Sequence, residues 1–291
     1  MADILRAAAP VLTTHDNLGL LGELPGTWVG SGFNLVSLPD QQNGNVFRVK
    51  VNATRETLSF TTIGGQIPNR GSVENDISFV GLHYFQQVTD AITNGGLHVE
   101  PGLWLNMPKE GAPPSDDPLQ QQLVRLGTIP HGDTILALST ALLDIAGPPE
   151  IAVENTTPIP FGSTTPFPTV NDPYLQPFSD AAATLQSLLA IDPAAIQDPN
   201  LVLKTAIAGQ DITNTKVIVI STSGVQNTGM TNVPFVVNNA NAVSLDAIFW
   251  IETVSQAGGN PFLQLQYTQR IILDFANVHW PHISVATLIK Q

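Results

Sequence analysis

The C-terminal segment of the chain carries the residues with the clearest chemical potential. Residues 280–290 alternate as a β-strand does, so every second side chain faces the same way. One face holds a histidine among small or apolar side chains: His282, Ser284, Ala286 and Leu288. The other face is mainly β-branched, which favours packing against other structure. The small residues leave room for a bound molecule, and a neutral imidazole is a common iron ligand.

Two interpretations are open for each of these histidines, one functional and one purely structural. For His282, the structural one is a histidine without a function in an edge strand. His83 could donate a hydrogen bond to a ligand from the far side of a pocket, or be an ordinary strand residue. His131, in a predicted turn, could reach over a barrel mouth, or be exposed. His98 and Glu100 share a strand face, as an acid–base pair or as a structural pair. His279 could contact a ligand from a neighbouring turn, or lie in solvent.

Composition narrows the function. The 291 residues include no cysteine, which excludes disulfides, thiolate catalysis and cysteine-held metal centres. The net charge of −13 argues against nucleic acid and against anionic membrane surfaces as partners. No apolar run is long enough to span a bilayer and no presequence opens the chain, so a cytoplasmic location is expected. The sequence contains no Walker loop, no G-x-G-x-x-G before a helix, no G-x-S-x-G and no H-E-x-x-H, which are motifs of nucleotide-binding proteins, hydrolases and zinc proteases.

The pattern of elements predicts an all-β fold: one antiparallel up-and-down β-barrel of about ten strands, spanning residues 1–291 as a single domain. Residues 147–210 are expected to form an insertion, a Pro-rich loop plus two short helices at Phe178–Ile191 and Asp198–Ala208. A further short helix is expected at Ile4–Leu12. Strands are expected at Gly26–Val36, Asn45–Phe60, Ile77–Thr89, Gly96–Met107, Gln122–Thr128, Thr134–Thr140, Lys216–Thr222, Pro234–Val237, Leu245–Val254, Phe262–Phe275 and His282–Ile289.

Four segments, in order along the chain, carry a resemblance to a known family. Residues 24–32, LPGTWVGSG, resemble an opening L-x-G-x-W-x-G-x-G motif, and residues 56–64, ETLSFTTIG, a second-strand motif. Residues 97–104, LHVEPGLW, resemble H-x-E-x-G, and residues 280–288, WPHISVATL, resemble P-H-L-x-A-x-L. The set is similar to the nitrobindins, the haem-binding branch of the calycin barrels that also include fatty-acid-binding proteins.

The resemblance implies haem b bound inside the barrel, with His282 as the proximal iron ligand. From their positions in the sequence, Trp28, Ser284 and Ala286 are expected in the binding wall, with His83 and His131 as distal candidates. The small-molecule partner would be nitric oxide, peroxynitrite or peroxide, and a homodimer is implied by the resemblance alone. Whether the protein is a peroxynitrite isomerase, a peroxidase-like enzyme or only a binder stays open. One arginine is expected to hold a haem propionate: Arg55, Arg70, Arg125 or Arg270.

Two other interpretations fit the same sequence. A barrel with a small-residue interior could carry an apolar or amphipathic small molecule without haem. The barrel could also be structural, with the insertion, Glu150–Gly209, as an interface for another protein. The first predicts indifference to replacement of His282, and the second predicts a large exposed apolar patch.

Overall fold

The structure is a computed structural model that describes residues 17–73, 75–108, 117–167, 175–185, 190–224 and 227–291. Three α-helices occur in these ranges: α1 Gln176–Thr184, α2 Asn200–Ala206 and α3 Pro234–Asn239. The strands are β1 Gly26–Pro39, β2 Phe47–Thr62, β3 Ile67–Asn69, β4 Ile77–Asp90, β5 Gly96–Pro108, β6 Gln121–Ile129, β7 Asp133–Ala146, β8 Ile159–Pro160, β9 Asp211–Ser221, β10 Gly229–Asn232, β11 Asn241–Ser255, β12 Phe262–Phe275 and β13 Val278–Lys290.

Ten of these strands close into an antiparallel barrel. Their order round the ring is β1-β2-β4-β5-β6-β7-β9-β11-β12-β13, and β13 pairs back onto β1. The short strands β3, β8 and β10 pair with β4, β13 and β7. The predicted all-β barrel is therefore confirmed. None of the helices in the described ranges has the length and apolar character needed to cross a membrane.

Glycines in β1 allow the barrel to close. Gly32 pairs with Ala286 of β13 across the seam. A Cβ atom on Gly30 would lie 2.1 Å from the backbone oxygen of Thr287, and one on Gly32 would lie 2.1 Å from that of Val285. The two strands approach so closely that a side chain cannot fit between them, which is why small residues cluster in this strand.

The barrel has one apolar core inside and a second on its outer surface. The inner core is closed at one end by an N-terminal segment whose Leu18, Leu21 and Trp28 are fully buried. Trp28 donates a hydrogen bond from Nε1 to the Leu24 carbonyl at 2.7 Å, which holds its side chain in place at this end. The outer core packs the insertion against the outward faces of β1 and β13.

Strand β13 takes part in both cores because its side chains alternate. Ile283 and Val285 face outward and are at most 1% exposed, beneath the insertion. Ala286 and Leu288 face inward and are fully buried. From the insertion, the outer core receives Phe178 and Ala181 of α1 and Leu203 of α2.

Three local predictions differ from the structure. The segment Pro234–Val237, expected to be a strand, begins helix α3, since extended Val233 is followed by proline at the first helical position. Strand β7 continues to Ala146, beyond the predicted Thr140, because β9 pairs with it from Leu138 to Ala146. Strand β2, which the sequence predicts to be bent or split near Thr54, is continuous there, at the point where its second partner, β4, begins to pair.

The helical predictions are met in part. Helix α1 begins near the predicted position and ends at Thr184, and residues 186–189 of the expected Phe178–Ile191 helix lie outside the described residues. Helix α2 lies within the predicted Asp198–Ala208 segment, with Asp198 Oδ1 accepting from the Asn200 amide. The helix expected at Ile4–Leu12 also lies outside the described residues.

Candidate functional site

The end of the barrel opposite Trp28 contains a cavity of about 480 Å³. Inward-facing side chains of β1, β2, β4, β5, β12 and β13 form its wall, and the residues of α3 that contact it include Phe235 and Val236. The barrel interior is thus divided into a filled half and an open half. The open half contains His98, His131 and His282.

His282 lies on the inner face of β13 with its ring held by β1. Asn34 donates from Nδ2 to His282 Nε2 at 2.8 Å and also to Ser284 Oγ at 2.8 Å. An amide nitrogen is only a donor, so Nε2 is the accepting, unprotonated ring nitrogen. Burial, together with the nearby His98 and His131, lowers the pKa of His282 to about 4. His282 is therefore a neutral imidazole at physiological pH.

Two other imidazoles occupy the opposite wall. Counting from β13 through β1, β2 and β4, strand β5 is fourth in the ring of ten, nearly across the barrel. His98 projects from β5, and His131 lies in the turn between β6 and β7. Their rings are stacked, with centroids 6.0 Å apart and planes inclined by 30°. A ligand in the cavity would lie between His282 and this pair.

A buried ionic network forms the floor beneath His98. His98 Nε2 lies 3.3 Å from Glu100 Oε2, and Arg125 donates from Nη2 to Glu100 Oε1 at 2.8 Å. Tyr84 donates its hydroxyl hydrogen to the same Oε1, and Arg125 also donates to Gln269 at 2.7 Å. Burial would raise the pKa of Glu100, but Arg125 and the hydrogen-bond donors outweigh it and hold this pKa at about 2.

A second carboxyl group lies beside this network. Tyr267 donates its hydroxyl hydrogen to Glu56 Oε2 at 2.6 Å, and Gln86 donates to Glu56 Oε1 at 2.8 Å. Burial raises the pKa of Glu56 to about 7 despite these two donors. Tyr267, Gln86 and Gln269 also line the cavity, so the two carboxyl groups contact it only through neutral polar side chains.

The structure brings together some of the predicted site residues. His282, Ser284 and His131 line the cavity. Trp28 and Ala286 lie in the filled half and do not contact it. His83 is exposed on the outer face of β4, because the inward positions of that strand are the even-numbered ones, and it cannot serve as a distal residue.

None of the arginines considered for a propionate lines the cavity. Arg125 lies below it, and the other three pair elsewhere, with Asn94, Asp76 and Glu154. The cation on the cavity wall is Lys50 of β2, which the sequence analysis did not consider. His279 also lies away from the cavity, with Nδ1 2.6 Å from Asp274 Oδ1 and its ring against Phe161.

Asn34, the hydrogen-bond partner of His282, is not among the residues predicted from the sequence. The signal was present: Asn34 is a polar residue between Phe33 and Leu35, so it points to the opposite side of β1 from two buried apolar neighbours. Among the described residues, no group of three or more His, Cys, Asp or Glu side chains could hold a metal ion by itself.

Comparison with known proteins adds a likeness of fold. No protein-family model matches the chain, and no curated protein matches it. Among solved structures, the chain is similar to the crystal structure of Rv2717c from M. tuberculosis, with a TM-score of 0.45 and 13% sequence identity. The likeness covers 98% of this chain and 99% of that one. The function must therefore be argued from the cavity itself.

Proposed function

We propose that the cavity binds haem b, with His282 as the axial ligand to iron. The observation that carries the proposal is a neutral imidazole held on the wall of a cavity of about 480 Å³. Cavities of roughly 300–1,000 Å³ are typical of small-molecule and cofactor sites. A single imidazole with an unprotonated nitrogen is a common axial donor to haem iron in proteins.

The residues present fit this cofactor. Nε2 of His282 offers its lone pair, which accepts from Asn34 in this structure. Binding iron exchanges that hydrogen bond for a metal bond, and Asn34 keeps its bond to Ser284. Lys50, exposed on the cavity wall, would pair with a propionate. The pair would be weak because Lys50 is in solvent, so His282 and the apolar wall supply most of the binding.

Bound haem would supply an iron centre for nitric oxide, peroxynitrite or peroxide, as the resemblance to nitrobindins implies. The chain would hold that centre by one imidazole, exclude water on the β13 side, and place His98 and His131 across from it. Its partner is thus a small molecule, with neither nucleic acid nor membrane involved. A homodimer remains a prediction.

A hemin titration followed by absorption spectroscopy tests the proposal. The protein should develop a sharp Soret band that saturates at about one haem per chain. His282→Ala should abolish or shift the band, because no other imidazole lies on the β13 wall in the described part of the chain. His83→Ala is the matched control, since His83 is a strand histidine on the outer face. Identical titrations of the protein and His282→Ala would refute haem ligation by His282.

One observation favours a second candidate, a carrier of an apolar small molecule. Asn34 already satisfies Nε2 of His282, so the imidazole has a structural partner without any metal. A carrier would bind an apolar fluorescent probe equally well in the protein and in His282→Ala, and hemin would not displace the probe selectively. Displacement of the probe by hemin in the protein but not in His282→Ala favours haem.

A further inference from the structure

We propose that His98 is the proton acceptor of the cavity and that Glu100 is its positioning residue. The proposal rests on the haem-binding function and narrows its ligand class to protic molecules, which release a proton when they bind iron. Peroxides belong to this class, whereas nitric oxide does not. Hydrogen cyanide belongs to it too and makes a convenient probe.

The geometry of His98 is that of an oriented base. Glu100 is fully buried and ionised, and an ionised carboxylate only accepts hydrogen bonds. The His98 nitrogen 3.3 Å from it, Nε2, must therefore carry the ring hydrogen. In the neutral form of His98, Nδ1 then keeps its lone pair, and it has no hydrogen-bond partner among the described residues. The side chain lines the cavity and is 22% exposed, so a ligand can reach it.

Glu100 is itself fixed more firmly than a structural pair with His98 requires. Arg125 is 3% exposed and donates to Glu100 Oε1, while its guanidinium lies 5.5–5.9 Å from the ring centres of Tyr84, Trp104 and Phe249. A carboxylate that is held ionised stabilises the imidazolium formed when His98 gains a proton. The other titratable neighbours of His98 on this wall are His131 and Asp133.

The position of His98 gives this base a task. His98 lies on the wall opposite His282, so a molecule held in the cavity between them can reach it. In the proposed step, Nδ1 of His98 accepts the proton of hydrogen cyanide, and the cyanide anion that remains would be a ligand for the iron that bound haem supplies. No electron is transferred, so the step needs no oxidant or reductant.

The experiment has two readouts. In the haem-free protein, ring ¹⁵N chemical shifts should show His98 protonated on Nε2, and Glu100→Gln should lose this tautomer preference. In the haem-loaded protein, His98→Gln should slow association of hydrogen cyanide by about 100-fold or more, the usual range for acid–base catalysis. His83→Gln should leave the rate unchanged. His98→Gln is decisive even if Glu100→Gln fails to fold.

The outcomes separate the two proposals. A protein that binds no hemin overturns both. A protein that binds hemin but associates with hydrogen cyanide equally fast as His98→Gln overturns the role of His98 alone. The opposite tautomer, with the hydrogen on Nδ1, would also overturn it. So would a six-coordinate haem that becomes five-coordinate in His98→Gln, because His98 would then be an iron ligand.

Discussion

Replacement of Glu252 by glutamine should stabilise the protein above neutral pH. Glu252 lies on β11 and is fully buried. Its Oε2 accepts from Gln264 at 2.6 Å, while Oε1 has no hydrogen-bond partner among the described residues. Burial raises the pKa of Glu252 from its ordinary value of 4.5 to about 7, against the opposing effect of Gln264.

The sign follows from which state holds the proton. The folded protein keeps the Glu252 proton up to a higher pH than the unfolded chain does, so ionisation favours unfolding. The stability is intact below pH 4.5 and falls as the pH rises through about 7. At about 1.4 kcal/mol for each pH unit between these values, the loss amounts to roughly 3 kcal/mol. A glutamine side chain at this position has nearly the same shape as glutamate and occupies the same space, but it never ionises.

Urea unfolding of the two proteins at several pH values from 4 to 8.5 measures this difference. Their free energies of unfolding should lie closest at pH 4, and relative to that value Glu252→Gln should gain roughly 3 kcal/mol by pH 8. The exposed Glu150 gives the control, Glu150→Gln, whose difference from the unmodified protein should not vary with pH. A difference for Glu252→Gln that is the same at every pH would refute the buried, proton-holding carboxyl group.

Three further substitutions test the site and the seam. Asn34→Val should tighten hemin binding by about threefold to tenfold, since it removes a hydrogen bond worth about 0.5–1.5 kcal/mol that competes for His282 Nε2; weaker binding in a hemin titration would contradict this. Arg125→Met should destabilise the protein by about 3–5 kcal/mol in urea unfolding by leaving Glu100 unpaired, and an unchanged midpoint would show that the pair is dispensable. Gly32→Ala should cost about 1–3 kcal/mol or more in thermal unfolding, because its Cβ meets β13, whereas Gly96→Ala, with nothing within 4 Å, should cost less.

The elements that could be predicted from the sequence are those determined by residues close together along the chain. Strand alternation located the inner face of β13, and with it His282 and Ser284, because a period of two leaves only two choices. The same pattern could have placed His83 outside, since Leu82 and Tyr84 on either side are buried apolar residues. The alternation of residues in this strand therefore already indicates that His83 faces outward.

The rest of the site depends on contacts between distant parts of the chain. Asn34 meets His282 only because the barrel closes, and the two are separated by 248 positions. His98 and His131 approach each other because β5 and the turn after β6 share one end of the ring. Arg125 could not be assigned to Glu100 by sequence, because a buried ion pair has no local pattern. Helix α3 was misread because proline starts helices as well as interrupting strands.

The two cores that meet at β13 have a consequence for the rate at which a ligand enters and leaves. The backbone of this strand is paired on both sides and its outer face is covered by the insertion, so the amide hydrogens of Ile283 and Val285 should be among the slowest to exchange. The opposing side contains the turn at 129–133 and helix α3, where Phe235 is 75% exposed. We therefore expect the residence time of a ligand in the cavity to depend on motion of that side. Strand β13, which holds His282, should stay paired with its neighbours while the ligand leaves.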